Sequence, residues 1–326
     1  MNDPAPAKPR LSVRHLSVHF RPRGLVAGLR HGRILAVDDL HLDLRRGETI
    51  GFAGESGCGK SALARALAGL TPMTGSIRCD GEELAGTAQK DTTALQRAIQ
   101  LIEEIPLAEL KLRRRVGDIV SEPLRAQYPK LDAKQRDAHV AALLMRVGLP
   151  SELMQKQLKE LDAPTRARVA LARALCVQPK VLLCDAPDAS LDAAQRESFI
   201  ELVVELAQQL DLALVLFARE PLALRRWCSR LLTMTLGKVM EQAPTDALLD
   251  AARHPYTRAL LTQALEEDAG VDGKSKVKSL PPPLQHPPMG CVFHPRCPLA
   301  ESACVRSEPH LRRVGPEHYA ACHFVG

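Results

Sequence analysis

Apolar and polar positions alternate in two stretches near the start of the chain. Leu11–Phe20 (LSVRHLSVHF) follows this pattern and predicts a half-buried strand. A Gly- and Arg-rich stretch at 21–33 interrupts it, and the alternation resumes at Ile34–Leu44. Glu48–Ala53 (ETIGFA) is a short apolar run that predicts a buried strand. Ala62–Leu70 (ALARALAGL) consists of strong helix formers. Residues 85–165 carry Leu, Ala, Gln, Glu, Lys and Arg at helical spacing, which predicts a helical subdomain. Further on, Val181–Cys184 and Leu212–Phe217 read as buried strands joined by a crossover helix at Ala193–Gln209. Leu231–Gln242 predicts a hairpin turning at Gly237, and Gly270–Pro288 reads as a linker. The expected class is α/β, with no internal repeat.

Composition narrows the partners. Hydrophobic residues make up 45% and charged residues 25% of the 326 residues, which is ordinary for a soluble globular protein. No apolar run approaches the roughly 18–20 residues that span a bilayer. The opening MNDPAPAKPR has no apolar core and does not read as a secretory signal. The chain is therefore expected in the cytosol, reaching a membrane through partners. A net charge of +6 is a mild excess, and aromatics are only 3%. Without a basic, aromatic-interleaved surface, nucleic-acid binding is not expected. The short basic run Lys111–Arg115 reads as a solvated helix face.

The chemistry is concentrated in Gly54-Glu55-Ser56-Gly57-Cys58-Gly59-Lys60-Ser61, followed by Ala62. It fits G-x-x-x-x-G-K-[ST], whose glycines let backbone N–H groups curl around a β-phosphate at a helix N-terminus. Lys60 would neutralise β/γ oxygens, and the Ser61 hydroxyl would hold Mg²⁺. Average composition would produce the four fixed positions about once in a hundred chains of this length. Here they also fall between a predicted strand and a predicted helix, as ATP binding requires. Asp185 ends the apolar run Val181–Cys184, where a carboxylate can hold Mg²⁺ through water.

With these residues, the chain resembles the nucleotide-binding subunits of oligopeptide and dipeptide ABC importers over nearly its whole length. The matching pieces are AVDDLHLDLRRGE at 36–48, GESGCGKS at 54–61, VGDIVSEPL at 116–124, ARAL at 172–175 and ASLD at 189–192. HPYTRAL at 254–260 and GCVFHPRCP at 290–298 are particular to the peptide-importer branch, and the insertion at 21–33 resembles the second of its two ATPase subunits. The resemblance implies an ATP-binding domain over 1–268 and a C-terminal extension over 269–326. It further implies a second ATPase subunit sandwiching two ATP molecules, two transmembrane permease subunits, and an extracytoplasmic peptide-binding protein. The subunit would then be peripheral on the inner face of the membrane. Phe20 matches the position that stacks on adenine, although a strand-end Phe also fits a core.

Several positions depart from the family. Ala186 stands where the catalytic glutamate is expected, and alanine cannot orient the attacking water. Asp188 lies two residues on, with a shorter reach. Arg219 stands at the switch histidine, and arginine cannot be deprotonated in proteins. Glu104 replaces the coupling-loop glutamine. The signature Ser-Gly-Gly-Gln becomes Asp162-Ala163-Pro164-Thr165. Asp162 can still cap a helix, but Pro164 has no N–H, Ala163 adds a Cβ, and Asp162 adds negative charge opposite a phosphate. Random decay would also have damaged the phosphate loop and the core. The expectation is a subunit that binds ATP with weak or no hydrolysis. Two alternatives stay open: a fully active importer ATPase, and an ATP-binding regulator on the same scaffold, in which 105–117 has no docking role.

Cys291, Cys297, Cys304 and Cys322 crowd the last 36 residues. In a reducing compartment such a group suggests metal rather than disulfides. Four thiolates suit tetrahedral zinc or an iron–sulfur cluster, with unligated thiols as the remaining alternative, and the lack of a C-x2-C knuckle argues against zinc. A similar extension in related peptide importers implies a 4Fe–4S cluster. His294 and His323 lie close in sequence as alternative ligands, although they read better as surface or packing residues.

Overall fold

The computed structural model describes residues 8–20, 34–86, 92–103, 113–185, 191–268, 284 and 287–325. Strands β1 (Leu11–Phe20) and β2 (Ile34–Leu44) pair antiparallel, from Leu11 opposite Leu44 to Phe20 opposite Ile34. The alternation in β1 slips by one between Val13 and Leu16, and the register shifts there. His15 absorbs the extra residue with a left-handed backbone (φ 52°), so Leu16 and Val18 return to the buried face. After β3 (Thr49–Ala53) come β4 (Thr74–Cys79) and β5 (Glu82–Ala85), which complete a four-stranded antiparallel sheet in the order β2-β1-β4-β5.

Strand β3 belongs to the main sheet. With β6 (Ile99–Ile102), β7 (Val181–Asp185), β8 (Ala213–Ala218) and β9 (Arg230–Thr235) it forms a parallel array in the order β9-β3-β8-β7-β6. Beyond β9 the sheet continues antiparallel through β10 (Lys238–Pro244), β12 (His318–Ala320) and β11 (Arg312–Gly315). The helices are α1 (Lys60–Leu67), α2 (Thr93–Ala98), α3 (Val116–Gln127), α4 (Ala133–Arg146), α5 (Ala163–Leu175), α6 (Ala193–Gln209), α7 (Thr245–Asp250), α8 (Pro255–Asp268) and α9 (Ser302–Arg306). Helix α6 is the crossover between parallel neighbours β7 and β8.

The main sheet divides the core in two, because successive side chains leave a strand on opposite faces. Phe52, Val181, Leu183, Val215 and Phe217 face α1 and the antiparallel sheet. The Phe52 and Phe217 rings stack there at 5.5 Å. Leu182, Cys184, Leu214 and Leu216 face the helical layer formed by α3–α6. Burying each such Leu or Val is worth about 1.5–3 kcal/mol, so both faces hold β3 and β8 rigidly where the phosphate loop leaves the sheet.

The sequence reading missed several strands. Ile99–Ile102 lies within the stretch read as helical, yet it forms the edge strand β6, pairing Ile99 with Val181. Four residues are too few to establish a period, and the partner strand supplies the hydrogen bonds. Strands β4 and β5 escaped for the same reason. The C-terminal strands add themselves to the main sheet, with Glu241 of β10 opposite Ala320 of β12. No helix among the described residues is long and apolar enough to cross a membrane.

Candidate nucleotide site

The loop Gly54–Gly59 leaves β3 and enters α1 at Lys60. Two of its glycines are required by close approach. A Cβ on Gly54 would lie 2.2 Å from the Met234 carbonyl oxygen. Gly59 has φ +113°, and its Cβ would lie 2.2 Å from the Ala36 carbonyl oxygen. The loop is also tied at both ends: the Gly54 N–H donates to the Arg219 carbonyl at 3.1 Å, and the Gly237 N–H donates to the Cys58 carbonyl at 2.8 Å. These contacts explain why the hairpin turning at Gly237 lies against the loop.

Lys60 is 9% exposed. Its Nζ donates to the Gly54 carbonyl at 2.6 Å, the Glu55 carbonyl at 3.1 Å and Cys58 Sγ at 3.4 Å. The ammonium is thus held inside the curl of its own loop, where a phosphate oxygen can replace a carbonyl as its partner. Burial pushes the Cys58 thiol up, against the pull of the adjacent Lys60 ammonium, which keeps it a neutral packing group. Ser61 is exposed on the first turn of α1.

These residues line a cavity of about 710 Å³, a volume that suits a nucleotide. Phe20, the run Glu55–Ala62, Asp185 and Arg219 all contribute to its wall. Gly54 lies buried behind the loop. Phe20 closes one side at the end of β1 and is 36% exposed. Asp185 stands at the carboxyl end of β7, where open α/β sheets bind ligands. Ala186, Asp188 and Glu104 lie outside the described residues.

Asp162–Thr165 are not among the residues lining this cavity. They open α5 in the helical layer. The Asp162 carboxylate accepts the Thr165 N–H at 3.0 Å, and hydrogen bonding from the Thr165 side chain, then from this N–H, holds its pKa below the ordinary carboxylate value. Pro164 sits in the first turn without an N–H. Of the last two backbone positions of this loop, one has no donor and the other has given its donor to Asp162.

The four tail cysteines gather near one another. Cys291 and Cys304 are buried, while Cys297 and Cys322 are half-buried. Burial pushes the Cys291 thiol up to about 11, and the neighbouring Cys304, Cys322 and Cys297 thiols push the same way. Among the described residues, three possible ligand atoms come within 4.8 Å of one another only at His15, Asp39 and His41, all exposed on the antiparallel sheet. No three of the four tail sulfurs lie within 4.8 Å of one another. The tail histidines have protein partners: His294 Nδ1 pairs with the Cys291 carbonyl at 2.9 Å, and His323 Nε2 with the Ser307 carbonyl at 2.9 Å.

Two further residues reach the loop from motifs that the sequence offered only as family markers. Tyr256, in HPYTRAL, is 2% exposed. Its hydroxyl donates to the Met234 carbonyl at 2.9 Å and accepts the Glu55 N–H at 3.2 Å. Arg296, in GCVFHPRCP, forms two hydrogen bonds to the Glu55 carboxylate. Glu241 anchors the same region from full burial, accepting the Arg253 and His254 N–H groups at 2.6 and 3.0 Å and pairing with His318 Nε2 at 2.6 Å.

The parallel sheet, the glycine-bounded loop, the enclosed lysine and the carboxylate at the end of β7 define a P-loop nucleotide-binding domain. Comparison with known proteins places it more closely. The profile of the ABC transporter family matches residues 37–189, and that of the oligopeptide/dipeptide transporter C-terminal region matches 240–304. The chain is 37% identical over 322 residues to the Di/tripeptide transport ATP-binding protein DppF of Pseudomonas aeruginosa, covering 97% of each chain. It is 34% identical over 315 residues to the Oligopeptide transport ATP-binding protein OppF of Escherichia coli, covering 92% of each. Among solved structures, cbiO1 of Clostridium perfringens superposes with a TM-score of 0.60 at 22% identity, over 81% of this chain and all of that one. The dimeric ATP-binding cassette MJ0796, bound to ADP and Pi, gives 0.60 at 20% identity, over 72% of this chain and 98% of that one. The protein belongs to the ABC transporter family, as an ATP-binding subunit of its oligopeptide/dipeptide branch.

Proposed function

We propose that this subunit holds ATP–Mg at Gly54–Ser61 as one half of an ATPase pair and contributes little hydrolysis of its own. It works with a second ATPase chain and two permease subunits on the cytoplasmic face of the membrane, importing peptides delivered by an extracytoplasmic binding protein. The phosphate loop supplies backbone donors, Lys60 neutralises β/γ oxygens, and Ser61 with Asp185 offers oxygens to Mg²⁺. Phe20 stacks on the base from the end of β1.

The observation that supports weak hydrolysis at this chain's own site is Arg219 in the cavity wall, where the family has a titratable histidine; the Asp162–Thr165 hydrogen bond beside Pro164 extends the reading to the partner's ATP. That helix start offers neither backbone donor to a phosphate on the partner subunit. Ala186 removes the water-orienting carboxylate, and Arg219 brings a fixed charge to the cavity wall in place of a titratable imidazole. Removing a positioned general base typically lowers turnover 10²–10⁴-fold. The test is ATP turnover of the assembled complex. The reading expects a low rate that Lys60→Ala in this chain does not reduce further, while Ala186→Glu with Arg219→His raises it. Fast turnover that disappears on Lys60→Ala would overturn it.

The tail cysteines support a second assignment, a 4Fe–4S cluster held by Cys291, Cys297, Cys304 and Cys322. Four thiolates without a C-x2-C knuckle fit such a cluster better than a zinc ribbon. Such a cluster would cross-link the C-terminal segment to itself. Absorbance near ~400 nm with iron in the purified chain, both lost on Cys297→Ser, is the expected result. A colourless protein with stoichiometric zinc would refute it.

A further inference from the structure

The second residue of the phosphate loop is held from outside the loop. Both carboxylate oxygens of Glu55 accept from the terminal nitrogens of Arg296, at 2.7 and 2.6 Å. The pair is well shielded, with side chains 6% exposed for Arg296 and 19% for Glu55. The Arg296 guanidinium also lies over the Phe293 ring at 5.6 Å, and that ring meets Tyr256 edge-on at 5.4 Å. Tyr256 returns to the loop through its bond from the Glu55 N–H. A paired fork of this kind is the strong form of an ion pair, because two parallel bonds set direction as well as charge.

Glu55 also lines the cavity that takes the nucleotide. A carboxylate in that wall is a liability, because ATP brings several negative charges to the same loop. In a partly desolvated site the repulsion is far stronger than in water. Lys60 cannot serve both anions: its contact with Glu55 is to the main-chain carbonyl, and the phosphate needs it. Arg296 is the cation that the geometry assigns to the Glu55 side chain.

We propose that Arg296 is a positioning residue of the nucleotide site, supplied by the C-terminal segment. It neutralises and orients Glu55, so that the phosphate loop accepts a polyphosphate only while residues 291–297 are docked against it. The C-terminal segment then acts on nucleotide affinity through one ion pair, and any event that displaces it weakens ATP binding. This inference rests on reading Gly54–Ser61 as the ATP site.

The test is MgATP affinity of the full chain, measured by isothermal titration, for the wild type and for Lys60→Ala, Arg296→Ala, Glu55→Gln and the double variant Arg296→Ala/Glu55→Gln. Arg296→Ala is expected to weaken binding on the order of tenfold or more. Glu55→Gln keeps affinity at or above the wild-type value, because it removes the repelling charge. The double variant recovers most of what Arg296→Ala loses, which a merely structural role for Arg296 would not produce. If Arg296→Ala does not fold, Glu55→Gln and the charge-free pair Glu55→Gln/Arg296→Gln decide the matter. Tenfold weaker binding by Glu55→Gln, or an Arg296→Ala affinity equal to wild type, overturns the proposal. A wild-type chain that binds no MgATP, or binds it equally well as Lys60→Ala, overturns the nucleotide-site reading instead.

Discussion

Replacing Tyr256 by phenylalanine would remove one oxygen atom from the wall behind the phosphate loop and leave everything else in place. The ring stays packed against Phe293, so no cavity opens. Two hydrogen bonds are lost: the one the hydroxyl donates to Met234 at 2.9 Å and the one it accepts from Glu55 at 3.2 Å. Burial raises the Tyr256 pKa far above its ordinary value, so the hydroxyl is a protonated donor at every physiological pH. A net worth of ~1 kcal/mol per bond, with an added penalty for a buried group left without a partner, gives a loss of about 1–3 kcal/mol. For a chain of this size that lowers the melting temperature by roughly 2–4 °C per kcal/mol. The assay is thermal unfolding followed by circular dichroism, with and without MgATP. The expected result is a drop of about 2–12 °C in the apo protein, with ATP-induced stabilisation reduced because the Glu55 amide is no longer held. A melting temperature unchanged to within ~1 °C would refute the claim that this hydroxyl ties the HPYTRAL segment to the loop.

The cap of α5 and a buried histidine provide two further tests. Asp162→Ala removes the acceptor for the Thr165 N–H and should cost about 1 kcal/mol in denaturant unfolding; no loss would show that the carboxylate does not cap the helix. Burial holds His254 down at about 4, against an ordinary 6.5, with Nδ1 accepting the Tyr256 N–H at 3.0 Å. Because the folded value is depressed, its stabilising effect is complete above pH 6.5 and is lost as pH falls towards 4. At 1.36 kcal/mol per pKa unit the loss across that window is about 3 kcal/mol. His254→Asn keeps an acceptor for Tyr256, so it should flatten the fall of unfolding midpoints between these pH values; an unchanged slope would remove His254 as its source.

What could be read from the chain alone follows from how far each interaction reaches along it. Leu11–Phe20 and Ile34–Leu44 were legible as strands because alternation is a local signal, and Ala193–Gln209 as a helix by composition and position between two apolar runs. The phosphate loop was legible because its chemistry depends on covalent spacing, and Gly54, Lys60 and Ser61 are fixed within one turn of chain. Asp162 as a cap is equally local, since its acceptor reaches only three residues ahead. Strand β6 was not legible. Its four residues acquire their conformation from β7, whose sequence lies about eighty positions away.

The same limit hid the outer support of the nucleotide site. HPYTRAL and GCVFHPRCP could be recognised as family segments, but nothing in them says that Tyr256 and Arg296 will face Glu55. The ion pair joins residues 241 positions apart, and neither residue type is unusual where it stands. Only the folding of α8 and the C-terminal segment against β9 and β10 brings the guanidinium to the carboxylate. The sequence by itself determined the phosphate loop and the departures from the family pattern at Ala186, Arg219 and Asp162–Thr165, because those are matters of residue identity and short spacing. The tertiary structure alone decided which distant cation neutralises the loop, because an ion pair of this strength needs a shielded site that no short segment can make.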